Sequence, residues 1–130
     1  MKLYTLEEAS ALLPQVIPVL ESLRDAAREL RAQRSSFASQ VRAASGDGNL
    51  LADPWSDIGE DQAGAASDAF DAAMARLTEW GIALKDPDRG LIDFHHERDG
   101  HLVFLCYHLG EQAIGYWHEL SAGFAGRQPL

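Results

Sequence analysis

The sequence predicts an α+β fold in which a long antiparallel helical hairpin packs with a small antiparallel β-sheet at the C-terminal end. Three features point there. Apolar residues recur in steps of three and four through the first two-thirds of the chain, in two runs split by a Gly-, Asp- and Pro-containing connection. After Gly81 the apolar period changes to two. Asp99-Gly100 then joins two alternating runs, a strong hairpin signal.

Thr5 and Glu8 have the spacing of a capping box, so a helix is expected to start at Leu6. Pro14 should interrupt it, or serve as a first-turn residue of the next helix, with a kink near Pro18. Leu13, Val16, Leu20, Leu23, Ala27, Leu30, Arg34, Phe37 and Val41 form a heptad seam whose single polar member is Arg34. Arg34 is expected to pair with Asp61 or Asp68, or to snorkel. The helix should end near Ala44. Ser45 to Asp61 reads as a loop whose Leu50, Leu51, Trp55 and Ile58 pack back on the helices. Ala63, Ala66, Phe70, Ala73, Leu77 and Trp80 mark the second helix, closed by Gly81.

Charge favours the antiparallel pairing. Arg24, Arg28, Arg31, Arg34 and Arg42 crowd the first helix, whereas Ala43 to Ala75 has seven acidic residues and no Lys or Arg. We read the arginines as a solvated, internally paired face in preference to a phosphate-binding stripe.

Strands are expected over Ile82–Lys85, Leu91–Glu97 and His101–Tyr107, the first two joined by the turn Asp86-Pro87-Asp88-Arg89-Gly90. A two-residue turn at Asp99-Gly100 sets the register from Arg98 opposite His101 to Ile92 opposite Tyr107. Ile92, Phe94, Val103, Leu105 and Tyr107 then share one face, the expected core face. Leu91, Asp93, His95, Leu102, Phe104, Cys106 and His108 share the other, with Asp93 beside Cys106. The tail holding Trp117 is expected to fold over the sheet.

The chain has 130 residues, the length of one domain, with the hairpin at about 5–81 and the β-rich part at about 82–130. Its net charge of −9 argues against a nucleic-acid polymer or an anionic membrane as partner. A small anion needs only a local cluster of donors. One cysteine, Cys106, and an acidic N-terminus in place of a signal peptide give the expectation of a cytoplasmic protein.

All five histidines, Cys106 and Glu111 lie between His95 and His118. Asp, His and Cys on one sheet face are a candidate transition-metal set, although no Cys-x-x-Cys or His-Glu-x-x-His spacing accompanies them. Asp93 or Glu111 with His118 could form an acid/base pair, and Cys106 with a histidine a nucleophile pair; nothing in the spacing demands either. Gly123-Phe124-Ala125-Gly126-Arg127 places an arginine that could clamp a carboxylate or phosphate, although we favour a terminal segment that wraps the sheet with Arg127 salt-bridged to an acid.

Thr5-Leu6-Glu7-Glu8-Ala9, Leu12-Leu13-Pro14, Lys85-Asp86, Gly90-Leu91-Ile92-Asp93-Phe94, Leu105-Cys106-Tyr107, Gly110-Glu111, Tyr116-Trp117-His118 and Gly123-Phe124-Ala125-Gly126-Arg127 resemble the prokaryotic family called domain of unknown function 2203. The resemblance spans nearly the whole chain and implies no activity. The sequence departs from the family pattern at His95, Tyr107 and His108. The matching positions Asp93, Cys106, Glu111, Trp117, His118, Gly126 and Arg127 are where the resemblance would build a site.

The leading expectation is therefore a polar site in the β-rich part that binds a small ligand or a divalent metal such as zinc. Asp93, Glu111, Trp117, His118 and Arg127 are the ligand-binding candidates, and Asp93, Cys106 and His118 the metal ligands. A phosphate-bearing ligand such as a nucleotide is admissible if Arg127, Lys85 or Arg89 converge on it. The alternative is a helical-hairpin interaction module, such as a homodimer, with a structural C-terminal motif.

Overall fold

A computed structural model describes residues 2–47 and 60–130, with side chains described for 2–34 and 64–130. Helix α1 (Leu6–Asp47) starts where the capping box places it. The Thr5 amide donates to Glu8 Oε1, and the Glu8 amide to Thr5 Oγ1, each at 3.0 Å. Glu8 is held below the usual carboxylate range by these bonds from Thr5.

Pro14 and Pro18 do not break α1 into two helices, contrary to expectation. They lie one turn apart on the exposed side, together with Ser10. The carbonyls they strand, those of Ser10 and Pro14, therefore face water. Leu13, Val16, Leu20 and Leu23 meanwhile stay buried on the opposite side. The helix runs three residues past Ala44.

Helix α2 (Glu60–Trp80) ends at Gly81, whose φ of 71° is a left-handed cap. The Ile82 amide closes on the Leu77 carbonyl at 2.9 Å. Pro18 to Ser22 lie along Ala72 to Arg76, and Ser22 to Glu29 along Ala65 to Ala69, so the helices run antiparallel. The seam thins along α1: Ala27 and Leu30 are half-buried and Arg34 is exposed. Among the described residues no ion pair joins Arg34 to Asp68, and the side chains of Phe37, Val41 and Asp61 lie outside the described set, as do Leu50, Leu51, Trp55 and Ile58. The charge pairing expected between the helices takes another route in the described part. Arg31 pairs with Asp88, in the turn before the second strand.

The sheet contains β1 (Ala83–Asp86), β2 (Leu91–Arg98), β3 (His101–Tyr107), β4 (Tyr116–Glu119) and β5 (Gln128–Pro129), in that spatial order and wholly antiparallel. The first strand is shifted by one residue from Ile82–Lys85 and carries an irregularity between Leu84 and Asp86. The β2–β3 register matches the sequence reading at every pair from Ile92–Tyr107 to Arg98–His101. Asp99 and Gly100 both have positive φ, 51° and 83°, as a tight two-residue hairpin turn requires. The tail, expected to fold over the sheet, instead extends it. The open edge of β3 offers unpaired amides and carbonyls, and β4 takes them.

Ile92, Phe94, Val103, Leu105 and Tyr107 are fully buried, as expected of the core face, and four of them join one apolar cluster with Val16, Leu20, Leu23 and Leu77. Tyr4 ties the N-terminal segment to this core. Its amide donates to the His95 carbonyl at 2.7 Å, and its ring meets Phe94 edge-on at 5.2 Å. Among the described residues no helix is long and apolar enough to cross a membrane.

Candidate functional site

Strand register builds the site. Asp93 on β2 is paired with Cys106 on β3, and Phe104 on β3 with His118 on β4. Cys106 and Phe104 are two residues apart, so Asp93, Cys106 and His118 share one face across three adjacent strands. This is the face opposite the helix-packed core. All three are nonetheless deeply buried, at 1%, 1% and 2% exposure. Their ligand-type atoms lie within 4.8 Å of one another.

The contacts of His118 define its chemistry. Its Nδ1–H donates to the Glu119 backbone carbonyl at 2.8 Å. A carbonyl can only accept, so Nδ1 carries a proton, which leaves Nε2 either to donate a second N–H to Asp93 or to offer its lone pair to a cation. That nitrogen lies 3.0 Å from Asp93 Oδ1, at a carboxylate that also only accepts when ionised. Two acceptors at that distance need a positive species between them, a proton or a metal ion.

Cys106 completes the group. Burial, and next the Asp93 carboxylate, push its thiol up from 9.0 to about 12, while Arg127 pulls the other way. Metal-free Cys106 is thus a protonated, unreactive thiol at neutral pH, and its S–H donates to Asp93. Only a strong Lewis acid such as a bound metal would strip that proton.

The five expected ligand-binding residues divide among three places. Asp93 and His118 meet as described. Glu111 and Arg127 meet each other, Arg127 Nη2 donating to Glu111 Oε2 at 2.6 Å with both side chains mostly buried. The other Glu111 oxygen accepts from the His108 amide at 2.9 Å. Arg127 also lies over Tyr116 at 4.1 Å and Phe124 at 4.7 Å. Glu111 and Arg127 thus clasp the C-terminal segment to the loop after β3, and Arg127 still reaches the field of Cys106. Trp117 goes elsewhere. It pairs with Leu105, faces the core side, and carries the Arg98 guanidinium over its ring at 4.6 Å. A residue next to His118 in a strand must point to the opposite face.

Both ring nitrogens of His118 have protein groups within hydrogen-bond reach. Of the other histidines, His95 stacks edge-on against Phe104 at 5.0 Å with Nδ1 buried and unpartnered. His108 Nδ1–H donates to the Leu109 carbonyl at 2.8 Å. Neither joins the triad. A further grouping, in which Arg24, Arg28, Arg89 and His108 border one cavity, joins arginines that the sequence reading weighed separately. The crowding of arginines was its only signal.

Residues 2–130 match the model of a family described as "Uncharacterized conserved protein (DUF2203)". The chain belongs to this family. Comparison with curated proteins and with solved structures gives no match. The DUF2203 assignment covers the helices and the sheet alike, so the triad and the Glu111–Arg127 clasp both fall within the matched region.

Proposed function

We propose that this DUF2203 protein binds a divalent transition metal of the zinc class through Asp93, Cys106 and His118. The observation that carries the reading is the convergence of three buried ligand-type groups, Asp93, Cys106 and His118, whose atoms lie within 4.8 Å of one another, with His118 Nε2 3.0 Å from Asp93 Oδ1. A backbone carbonyl that accepts the Nδ1–H of a histidine orients its ring, which is how metal-ligating histidines are commonly held with Nε2 toward the ion. Donor atoms around a tetrahedral zinc stand about 3.3–3.7 Å apart, so small side-chain adjustments would close the triad on an ion. An N, O and S donor set suits zinc better than magnesium or calcium, which take oxygen. Three protein donors leave a tetrahedral ion one further position.

The test uses protein purified without a histidine tag. Elemental analysis should find one transition-metal ion per chain. Cobalt exchange should produce a thiolate-to-cobalt charge-transfer band that Cys106→Ser abolishes, and His118→Gln should release the ion. Sub-stoichiometric metal, with a melting temperature that chelator leaves unchanged, would overturn the reading. The cation between His118 and Asp93 is then a proton, and the pair is structural.

A further inference from the structure

A cavity of about 420 Å³ lies between α1, the β1–β2 turn and the segment after β3, lined by Arg24, Arg28, Asp88, Arg89, His108, Leu109 and Phe124. The size falls in the range of small-ligand pockets. Its charge is opposite to that of the chain. The protein has 11 Lys and Arg against 20 Asp and Glu, yet three of those 11 line this one cavity.

Among the described residues, the partners of these arginines are exposed or distant, and Arg28 has none. Arg24 and Arg28 are one helical turn apart, a like-charge spacing that weakens a helix unless something answers it. Arg24 Nε is 3.1 Å from the exposed Asp25 carboxylate. Arg28 has no ion pair or hydrogen bond with any described residue. Arg89 Nε stands 3.7 Å from Asp86 Oδ2, beyond a good hydrogen bond. The one acid in the lining, Asp88, is paired with Arg31 outside it. His108 donates Nδ1–H to the Leu109 carbonyl and holds Nε2 3.7 Å from Glu111 Oε1.

We propose that this cavity binds the phosphate group of a small molecule. Three guanidinium groups suit an oxyanion with several acceptor oxygens, since guanidinium N–H groups donate to such oxygens in pairs. Phe124 decides what else the ligand needs. Its ring is 39% exposed, but it already has the Arg89 guanidinium at 5.5 Å, that of Arg127 at 4.7 Å and the His108 ring at 6.0 Å. A nucleobase would have to compete with those cationic neighbours for the ring. The recognised chemistry is the phosphate itself, as free phosphate or as a phosphate monoester. Leu109 closes the floor by packing on Gly90, where a Cβ would come within 2.5 Å of its side chain. The proposal is independent of the metal reading, because its lining includes none of Asp93, Cys106 and His118.

Calorimetric titration of the full chain at low ionic strength tests it, with inorganic phosphate, glycerol phosphate and adenosine monophosphate in separate arms. Saturable binding of phosphate or glycerol phosphate is expected, with adenosine monophosphate no tighter than glycerol phosphate. Arg28→Gln and Arg89→Gln should each weaken it about tenfold, at an unchanged or slightly raised melting temperature. Arg76→Gln, whose guanidinium lies over Trp80 elsewhere on the surface, should leave it unchanged. Tighter binding by glycerol phosphate than by inorganic phosphate identifies a monoester site, and the reverse identifies a free-phosphate site. No saturable binding in any arm, or binding that Arg28→Gln and Arg89→Gln leave intact, would overturn the proposal.

Discussion

The two faces of this sheet both bury side chains, but only one of them buries polar groups among its apolar ones. Toward the helices stand Ile92, Phe94, Val103, Leu105 and Tyr107; on the reverse, between the same strands, stand Asp93, Cys106 and His118. The apolar face needs only shape, since burying its side chains is favourable whatever their partners. The polar face is folded only if each group finds a partner, because an unpaired buried polar group costs about 1–3 kcal/mol and a buried charge more. A sequence that retains three polar side chains there gives up stability that Val, Leu or Ala would supply. That contrast is why we read the triad as a site and the opposite face as scaffold.

The sharpest way to break the comparison is to remove one large group from the apolar face. Phe94→Ala should cost about 3–5 kcal/mol in denaturant unfolding, whether metal is present or absent. A loss that depends on metal would mean that the two faces are not separable. On the polar face the largest effect should be conditional. Chelation of the loaded protein should lower stability by about 3 kcal/mol if the free ion stands at a hundred times its dissociation constant. In His118→Gln the chelator should change nothing. A chelator effect that survives that substitution would place the ion elsewhere.

The apolar face was legible in the sequence because period-two alternation and the Asp99-Gly100 turn fix register without reference to anything distant. Asp93 beside Cys106 followed from the same register. The contribution of β4 did not. Nothing local tells Tyr116–Glu119 to pair with β3 rather than fold over it, and that pairing alone decides that His118 joins the triad while Trp117 enters the core. The expected break at Pro14 failed for a related reason. A proline's effect depends on which side of the helix it occupies; Pro14 and Pro18 stand off the apolar seam, on the exposed side, where their stranded carbonyls face water. The cationic cavity was hidden because its arginines come from α1 and the β1–β2 turn, far apart in the chain.

A smaller effect should come from the clasp beside the polar face. Glu111→Gln keeps the shape but leaves the mostly buried Arg127 guanidinium without its carboxylate. A loss of about 1–2 kcal/mol is expected, with faster hydrogen exchange at the amides of Arg127 and Leu130, which bond to Phe124 and Gly115. Unchanged exchange at those two amides would show that the C-terminal segment is held by its cation–π contacts alone.

The smallest effect contrasts neighbours on β3 that point to opposite faces. The Cys106 thiol is raised to about 12 by burial and then by Asp93. The Tyr107 hydroxyl is raised above 10.0 by burial and then by Glu111 and Glu21. For a group whose folded pKa is raised, the unfolded chain releases its proton first. Its contribution is therefore whole below the unfolded value and falls as pH climbs toward the folded one. In metal-free protein the Cys106 share should decline between about pH 9 and 12, amounting to about 1 kcal/mol by pH 10. Tyr107 should add a decline that begins about one pH unit later. Cys106→Ser should remove the first decline and retain the second. Wild-type protein loaded with zinc should resemble that variant, because a thiolate already bound to metal has no proton to lose. Denaturant midpoints of the three samples at several alkaline pH values make the comparison. Identical declines in metal-free wild type and Cys106→Ser would show that Cys106 is no more shielded from titration in the fold than in the open chain.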